Sequence, residues 1–215
     1  IATIVYGFVK ISINGSKLKK AVKKSREILD KMSVDLIKKM EKDYDFTIDE
    51  YEKFQRSISL GGWKGIQFLQ HKGITENLID GMSFYKKYDC DYGDYDFPRV
   101  KDICDFAKEI GGYAVLAHPS KWFSSLNKKE LINVFETIKK LGITGIECFY
   151  PLNDKIMTQT AIEFCKNNNM LITAGGDFHG NFFKTVNYVV YDLAITKTVL
   201  EDVEISPLMV EIKEN

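Results

Sequence analysis

The sequence predicts an α/β protein with parallel strands, and three features of its second half support this fold class. From Phe97 onward, segments with helical spacing alternate with short apolar runs that suit buried strands. Glycines stand where helices should end and strands begin, at Gly111, Gly112, Gly142 and Gly145. Polar residues that can carry chemistry follow the apolar runs, and in such folds the chemistry gathers at the carboxyl ends of strands.

The first part of the chain is predicted to open with a strand within residues 1–9. A long helix should follow, capped by Ser16 and carrying apolar residues at helical spacing as far as Ile37. The polar face of this helix is rich in lysine. We interpret the lysines as a solvated helix face, and the alternative of a nucleic-acid surface is less favoured.

A small helical insert is predicted over residues 45–97. Thr47 to Glu50 has the form of a capping box and should start a short helix. A second helix is expected after Gly62, and a third over residues 74–88. The acidic, tyrosine-rich stretch that follows is too polar and turn-rich for regular structure.

From residue 99 onward the chain should alternate between helices and strands. The expected helices cover residues 99–110, 127–141 and 153–168, and the expected strands cover residues 113–118, 143–149 and 170–175. Residues 186–215 should form a last strand, near residues 187–191, and a tail. The whole chain, residues 1–215, is predicted to be one domain that contains the insert.

Composition excludes several classes of protein. The chain has 215 residues, of which 45% are hydrophobic and 13% aromatic, so it can bury a sizeable core. Its 30 basic and 30 acidic residues cancel, so no overall field favours nucleic acid or a membrane surface. No apolar run approaches about 18 residues, and no signal peptide is evident, so a cytoplasmic location is predicted. The four cysteines lack C-x-x-C spacing and are expected to be reduced, partly buried thiols.

The strongest chemical signal is Asp177 and His179, which follow an apolar strand and two glycines. In extended geometry residues two apart point to the same side, so both side chains are expected to face one pocket. His118 follows another apolar strand and is the third candidate ligand. The alternatives are a turn with an inward histidine for the pair, and a core or capping histidine for His118.

One carboxylate and two imidazoles suit Zn, Mn or Fe(II) and do not suit Mg or Ca. Three such ligands could hold one catalytic ion with an open position for water, although spacing does not show that all three bind the same ion. Glu147 ends a strand and is either a second-sphere or substrate-facing group, or a cap for the next helix. His71 lies at a helix end and is assigned no catalytic role.

Three segments taken together carry a resemblance to a known family: residues 111–119 with their Ala-His-Pro, 145–151 with Gly-Ile-Glu, and 174–180 with Gly-Gly-Asp-Phe-His. In that order and spacing they resemble the later motifs of the PHP (polymerase and histidinol phosphatase) superfamily, and most closely its stand-alone metal-dependent phosphoesterases. The resemblance covers most of residues 1–185. It implies a distorted seven-stranded β/α barrel with up to three metal ions, to different ones of which His118, Asp177 and His179 would contribute ligands.

The chain also departs from the family pattern. Family members begin with a His-x-His strand, followed by further ligands that this sequence does not supply, and the strand with Thr3 and Ile4 lacks a later family histidine. We expect that about the first third of the barrel lies upstream of Ile1, or else that the chain is a degenerate copy. On either account residues 1–215 alone are expected to show little phosphatase activity.

The resemblance implies a metal-dependent hydrolase that attacks a phosphate monoester of a small molecule, such as a nucleotide, with metal-activated water. Arg56 and Lys64, in the helical insert, are the candidate substrate-binding residues, with ordinary surface charge as the alternative. Two other functions stay open: a phosphoesterase or exonuclease acting on a nucleic-acid end, which the neutral charge disfavours, and a non-catalytic domain used in assembly. The expected partner is a small phosphorylated substrate and not a membrane, nucleic acid is disfavoured, and the residues predict no oligomeric state.

Overall fold

The computed structural model describes residues 5–8 and 15–177. Within these residues the chain forms two compact units. Residues 15–98 make up a helical unit, and residues 5–8 with 99–177 make up a unit that contains the sheet. The predicted strand at residues 187–191 lies outside the described residues.

The helical unit is built on one long helix and three short ones. The bounds are α1 Gly15–Met40, α2 Ile48–Lys53, α3 Lys64–His71 and α4 Asp80–Lys87, with a 3₁₀ turn at Tyr92–Asp94. The long helix and the capping box at Thr47 are confirmed, since the Thr47 side chain accepts from the backbone N–H of Glu50 and the Glu50 side chain accepts from that of Thr47. The helix predicted over 74–88 begins only at Asp80. The side chain of Asn77 accepts from the backbone N–H of Asp80, at 3.0 Å, so a turn occupies the preceding residues.

An aromatic cluster forms the core of the helical unit. The rings of Phe46, Tyr51 and Phe54 all meet the ring of Phe68, with centroids 5.3 to 5.6 Å apart and steep interplanar angles. Edge-to-face pairs of this kind stabilise a core beyond the area that they bury. Residues 45–97 thus have an apolar core in common with α1, which supplies Met32, Leu36, Ile37 and Met40 to it.

The sheet unit has four strands in the order β1-β2-β3-β4, among the residues that the structure describes. The strands are β1 Val5–Phe8, β2 Tyr113–Leu116, β3 Gly145–Phe149 and β4 Leu171–Ala174. The helices are α5 Val100–Glu109, α6 Ser120–Phe123, α7 Lys128–Lys140 and α8 Lys155–Asn168. The predicted α/β fold with a parallel sheet is confirmed for β2, β3 and β4. The first strand instead pairs antiparallel with β2, and the described residues do not show a seven-stranded barrel.

The parallel strands pack against α7 and α8 around one apolar core. Phe135 of α7 and Phe164 of α8 pack together with ring centroids 5.4 Å apart. Leu116, Ile146 and Ile172 of the strands join the same core. Since the strands run parallel, the residues that follow β2, β3 and β4 emerge at one edge of the sheet, where the candidate ligands lie.

Candidate functional site

His118 follows β2 by two residues and lies inside the sheet unit. It is 1% exposed, and its ring lies 5.8 Å from the ring of Tyr150 and 6.4 Å from that of Trp122, measured between centroids. Its φ angle is 34°, in the left-handed region that residues other than glycine rarely adopt. Strained backbone of this kind persists where the surrounding structure fixes it, and such residues cluster at functional sites.

Asp177 follows β4 by three residues and approaches His118. The Asp177 side chain is 4% exposed, and its Oδ1 lies 4.0 Å from Nε2 of His118. The other carboxylate oxygen, Oδ2, is in contact with the ammonium of Lys121. The structure therefore brings together two of the three candidate ligands, together with a cation that the sequence reasoning missed.

Asp177 departs from the extended geometry predicted for residues 177 to 179, because β4 ends at Ala174 and the φ angle of Asp177 is 51°. Left-handed backbone at that position interrupts the alternation of a strand. His179 lies outside the described residues, so its role as a ligand stays a prediction.

Glu147 lies on β3 and supports the backbone of His118. Its Oε2 accepts a hydrogen bond from the backbone N–H of His118 at 2.6 Å, and the residue is 7% exposed. This contact fits the alternative of a second-sphere group, because it supports a candidate ligand, whereas the alternative of a cap for the next helix is wrong. Asp154 caps α8 instead, accepting from the backbone N–H of Met157 at 2.7 Å.

The electrostatics of the site are those of two carboxylates held out of water. Burial raises the pKa of Glu147, the N–H of His118 opposes that shift, and the neighbouring charge of Asp177 adds to it. Lys121 also opposes the shift. Bringing a further cation into this site would therefore be favoured by the negative charge of the carboxylates and disfavoured by the ammonium already present.

The residues present fit a divalent ion in part. Ligands at about 2.1 Å from one ion lie about 3 to 4 Å from each other, so the 4.0 Å between His118 Nε2 and Asp177 Oδ1 is within the range for a shared ion. Imidazole with carboxylate is the donor set of Zn, Mn and Fe(II). Within residues 5–8 and 15–177, however, no group of three or more histidine, cysteine, aspartate or glutamate side chains could hold an ion. His118 and Asp177 therefore fit as two ligands of an incomplete set.

The candidate substrate-binding residues lie in the helical unit, and both make contacts within it. Nη1 of Arg56 donates to the carbonyl oxygen of Gly62 at 2.9 Å. Nζ of Lys64 donates to the carbonyl oxygen of Glu52 at 3.0 Å and lies 4.4 Å from the centre of the Tyr51 ring. These contacts hold Arg56 against the loop before α3 and Lys64 against α2, and the role of both residues in substrate binding stays a prediction.

Lys121 is the residue of the site that the sequence reasoning missed. It lies one helical turn after His118, on α6, and its backbone N–H donates to the carbonyl oxygen of His118 at 3.0 Å. Its spacing from His118 in His-Pro-Ser-Lys was the only available signal, since 56 residues separate it from Asp177.

The structure also bears on the predictions about the cysteines and about membrane-spanning helices. All four cysteines are buried, free thiols. In the part of the chain that the structure describes, no helix combines the length and the apolar character that crossing a bilayer requires.

The chain was compared with known proteins by sequence and by fold. No family model matches the chain. The chain is 26% identical over 138 residues to the phosphoribosyl 1,2-cyclic phosphate 1,2-diphosphodiesterase of Eggerthella lenta, and the match covers 60% of this chain and 50% of that protein. The chain thus spans about half the length of the curated relative that it matches.

Two solved structures have a similar fold. One is a Bifidobacterium adolescentis protein provisionally described as a metal-dependent phosphoesterase, with a TM-score of 0.62, 16% identity, and coverage of 93% of this chain and 69% of that one. The other is an amidohydrolase from Chromobacterium violaceum with bound sulfate and no metal, with a TM-score of 0.55, 15% identity, and coverage of 80% and 60%. The sequence match to the phosphodiesterase and the fold shared with the Bifidobacterium adolescentis protein together confirm the resemblance to phosphoesterases of the PHP type that the three motifs indicate.

Proposed function

We propose that the protein is a metal-dependent phosphoesterase that hydrolyses a phosphate monoester of a small molecule, such as a nucleotide. The observation that carries the proposal is the convergence of the buried side chains of His118 and Asp177, with Nε2 and Oδ1 4.0 Å apart, at the carboxyl ends of parallel strands. The similarity to a phosphodiesterase and to a fold described as a phosphoesterase supports it. The name of the Eggerthella lenta relative favours a second candidate, hydrolysis of a phosphodiester.

In the proposed site His118 and Asp177 hold a divalent ion, Mn, Zn or Fe, and His179 is the proposed third ligand. Such an ion supplies Lewis acidity toward a phosphate oxygen and lowers the pKa of a bound water. Up to three ions are proposed for the complete site, by resemblance to the family.

The chain's own residues provide the frame for this chemistry. Glu147 holds the backbone of His118 through the 2.6 Å hydrogen bond, which keeps the imidazole at the end of β2. The rings beside His118 limit the access of water to it. Arg56 and Lys64 are the proposed contacts to the substrate phosphate, because a phosphate needs fixed cations and arginine can bind it through two nitrogens.

The test is phosphate release by the complete encoded protein with Mn²⁺ or Zn²⁺, on p-nitrophenyl phosphate and nucleoside monophosphates, with bis-p-nitrophenyl phosphate as the diester. We expect His118→Asn to lower kcat/KM at least about 100-fold, in line with the loss of a group that binds a catalytic ion. The matched control is His71→Asn, since His71 is an exposed histidine at the end of α3 and should leave the rate within about twofold.

The outcomes separate the functions. Preferential cleavage of the diester would select the second candidate. Metal-dependent activity that survives His118→Asn would contradict the proposed site. Absence of hydrolysis with every metal and both kinds of ester would favour the non-catalytic domain.

A further inference from the structure

Lys121 extends from the surface of the sheet unit into a buried site. Its side chain is 28% exposed, whereas that of its partner Asp177 is 4% exposed. The backbone of Lys121 is fixed within α6, since its N–H donates to the carbonyl oxygen of His118. The ammonium ends on Oδ2 of Asp177 and lies 5.9 Å from the centre of the Tyr150 ring. A cation on a flexible chain is thus attached one helical turn from His118.

The two oxygens of Asp177 have different neighbours. Oδ1 lies 4.0 Å from the imidazole Nε2 of His118, and Oδ2 is in contact with the Lys121 ammonium. A divalent ion bound to this carboxylate would have a positive charge on the opposite side of the same group. Because like charges at such separations repel strongly in a partly buried site, ion and ammonium compete for Asp177.

The Lys121 ammonium can move toward solvent when it is displaced from Asp177. Lysine carries its charge as a compact point at the end of four methylene groups, and more than a quarter of the Lys121 side chain reaches solvent. On leaving Asp177 the ammonium loses a negatively charged partner, and a phosphate that approaches the site from solvent can take the place of that partner. Lysine is a common partner for phosphate as a point charge.

We infer that Lys121 is a switchable cation: it neutralises Asp177 until a divalent ion binds there, and it then binds the phosphate of the substrate. The inference rests on the proposed function for the identity of the substrate and assigns to that site an anion-binding residue of its own. It predicts opposite effects of removing the ammonium, namely tighter binding of metal and weaker binding of phosphate.

The experiment compares Lys121→Met with Lys101→Met in the complete encoded protein. Lys101 is an exposed lysine of α5 in the same unit and pairs with Asp105 at 2.8 Å, so its loss removes one charge without touching the site. Mn²⁺ affinity is measured from the free-ion electron paramagnetic resonance signal, and affinity for inorganic phosphate by calorimetry with Mn²⁺ in excess. Thermal unfolding followed by circular dichroism verifies that both variants fold.

We expect Lys121→Met to bind Mn²⁺ about tenfold more tightly and phosphate about tenfold more weakly, and Lys101→Met to change each by less than about twofold. In an Asp177→Asn background the effect of Lys121→Met on Mn²⁺ affinity should fall below about twofold, because the shared carboxylate is gone. Unchanged or weaker Mn²⁺ binding by Lys121→Met would overturn the competition. Unchanged phosphate binding would overturn the second role of the ammonium.

The outcomes are separable from those that test the proposed function. If Mn²⁺ and phosphate affinities shift in opposite directions but no ester is hydrolysed, the role of Lys121 stands and the phosphoesterase proposal fails. If esters are hydrolysed and the two affinities are unaffected by Lys121→Met, the converse holds.

Discussion

Gly175 lies where any side chain would collide with Glu147. A Cβ atom placed on Gly175 would lie 2.1 Å from Oε1 and 3.3 Å from Cδ of Glu147, whereas real Cβ atoms essentially never approach another heavy atom within 3.0 Å. The Glu147 carboxylate is held in place, because its Oε2 accepts from the backbone N–H of His118. Gly175→Ala should therefore force the carboxylate away and break that hydrogen bond.

The size of the effect follows from the two consequences of the clash. Leaving the buried N–H of His118 without an acceptor costs about 1 to 3 kcal/mol. Overpacking of a close-packed site costs a further amount of about 1 to 3 kcal/mol. We expect Gly175→Ala to lower the free energy of unfolding of the sheet unit by about 2 to 6 kcal/mol.

The assay is a double-mutant cycle with Glu147→Ala, measured by urea unfolding. The chain has two tryptophans, and Trp122 lies in the sheet unit while Trp63 lies in the helical unit. All variants therefore carry Trp63→Phe, so that fluorescence reports on Trp122 alone and the cost of this change cancels. Gly93→Ala serves as a background control, because a Cβ at Gly93 meets nothing within 4 Å and Gly93 lies in the helical unit, so this change should leave the Trp122 transition unaltered.

The cycle has a clear outcome. In the Glu147→Ala background the carboxylate is gone and the N–H of His118 is already without its acceptor, so Gly175→Ala should cost less than about 1 kcal/mol. An equal cost in both backgrounds would refute the reasoning, because the clash would then not involve Glu147. A cost no larger than that of Gly93→Ala would refute it as well.

Two further predictions concern α7. Asn127→Ala removes a cap that accepts from two backbone N–H groups of the first turn, so it should cost about 1 kcal/mol in urea unfolding. Asn133→Ala on the exposed face of the same helix should cost less than about 0.5 kcal/mol. Equal costs would contradict the role of the cap. Phe135→Ala should cost about 3 to 5 kcal/mol in the same assay, because Phe135 is fully buried. Ile132 on the same helix is 37% exposed, so Ile132→Ala should cost clearly less, and similar costs would contradict the prediction.

The helices were largely predictable because their ends are encoded locally. The capping box of Thr47 and Glu50 marks the start of α2 in the sequence and forms in the structure. The start of α4 was misjudged, because the apolar spacing of residues 74–88 is helical while the side chain of Asn77 closes a turn in front of Asp80. Periodicity shows which face of a segment is apolar, but a local hydrogen bond decides where the helix starts.

The strands were predictable as elements, but their pairing was not. The alternation of helices and apolar runs indicates parallel strands, and β2, β3 and β4 pair in that way. The first strand runs antiparallel to β2, with Val5 opposite Leu116. The direction of a strand depends on contacts with residues more than a hundred positions away, which neither propensity nor spacing encodes.

The candidate site, too, was predictable only in part. That His118 and Asp177 would both lie at strand ends followed from the apolar runs before them. The hydrogen bond from the His118 backbone to Glu147 and the ion pair between Lys121 and Asp177 join residues 29 and 56 positions apart, so the sequence gives no local signal for either.

Hydrogen bonds to β3 hold the backbone of the candidate site in position. His118 and Asp177 both have left-handed φ angles, which cost about 1 to 3 kcal/mol each where the residue is not glycine. The loops that carry them are tied across the sheet: Glu147 accepts from the backbone of His118, and the backbone N–H of Gly175 donates to the carbonyl oxygen of Phe149 at 3.0 Å. Because both ties run to β3, the strained conformations of the two neighbouring loops depend on the middle strand of the three. A change at β3 should therefore displace His118 and Asp177 together, even though neither residue lies on that strand.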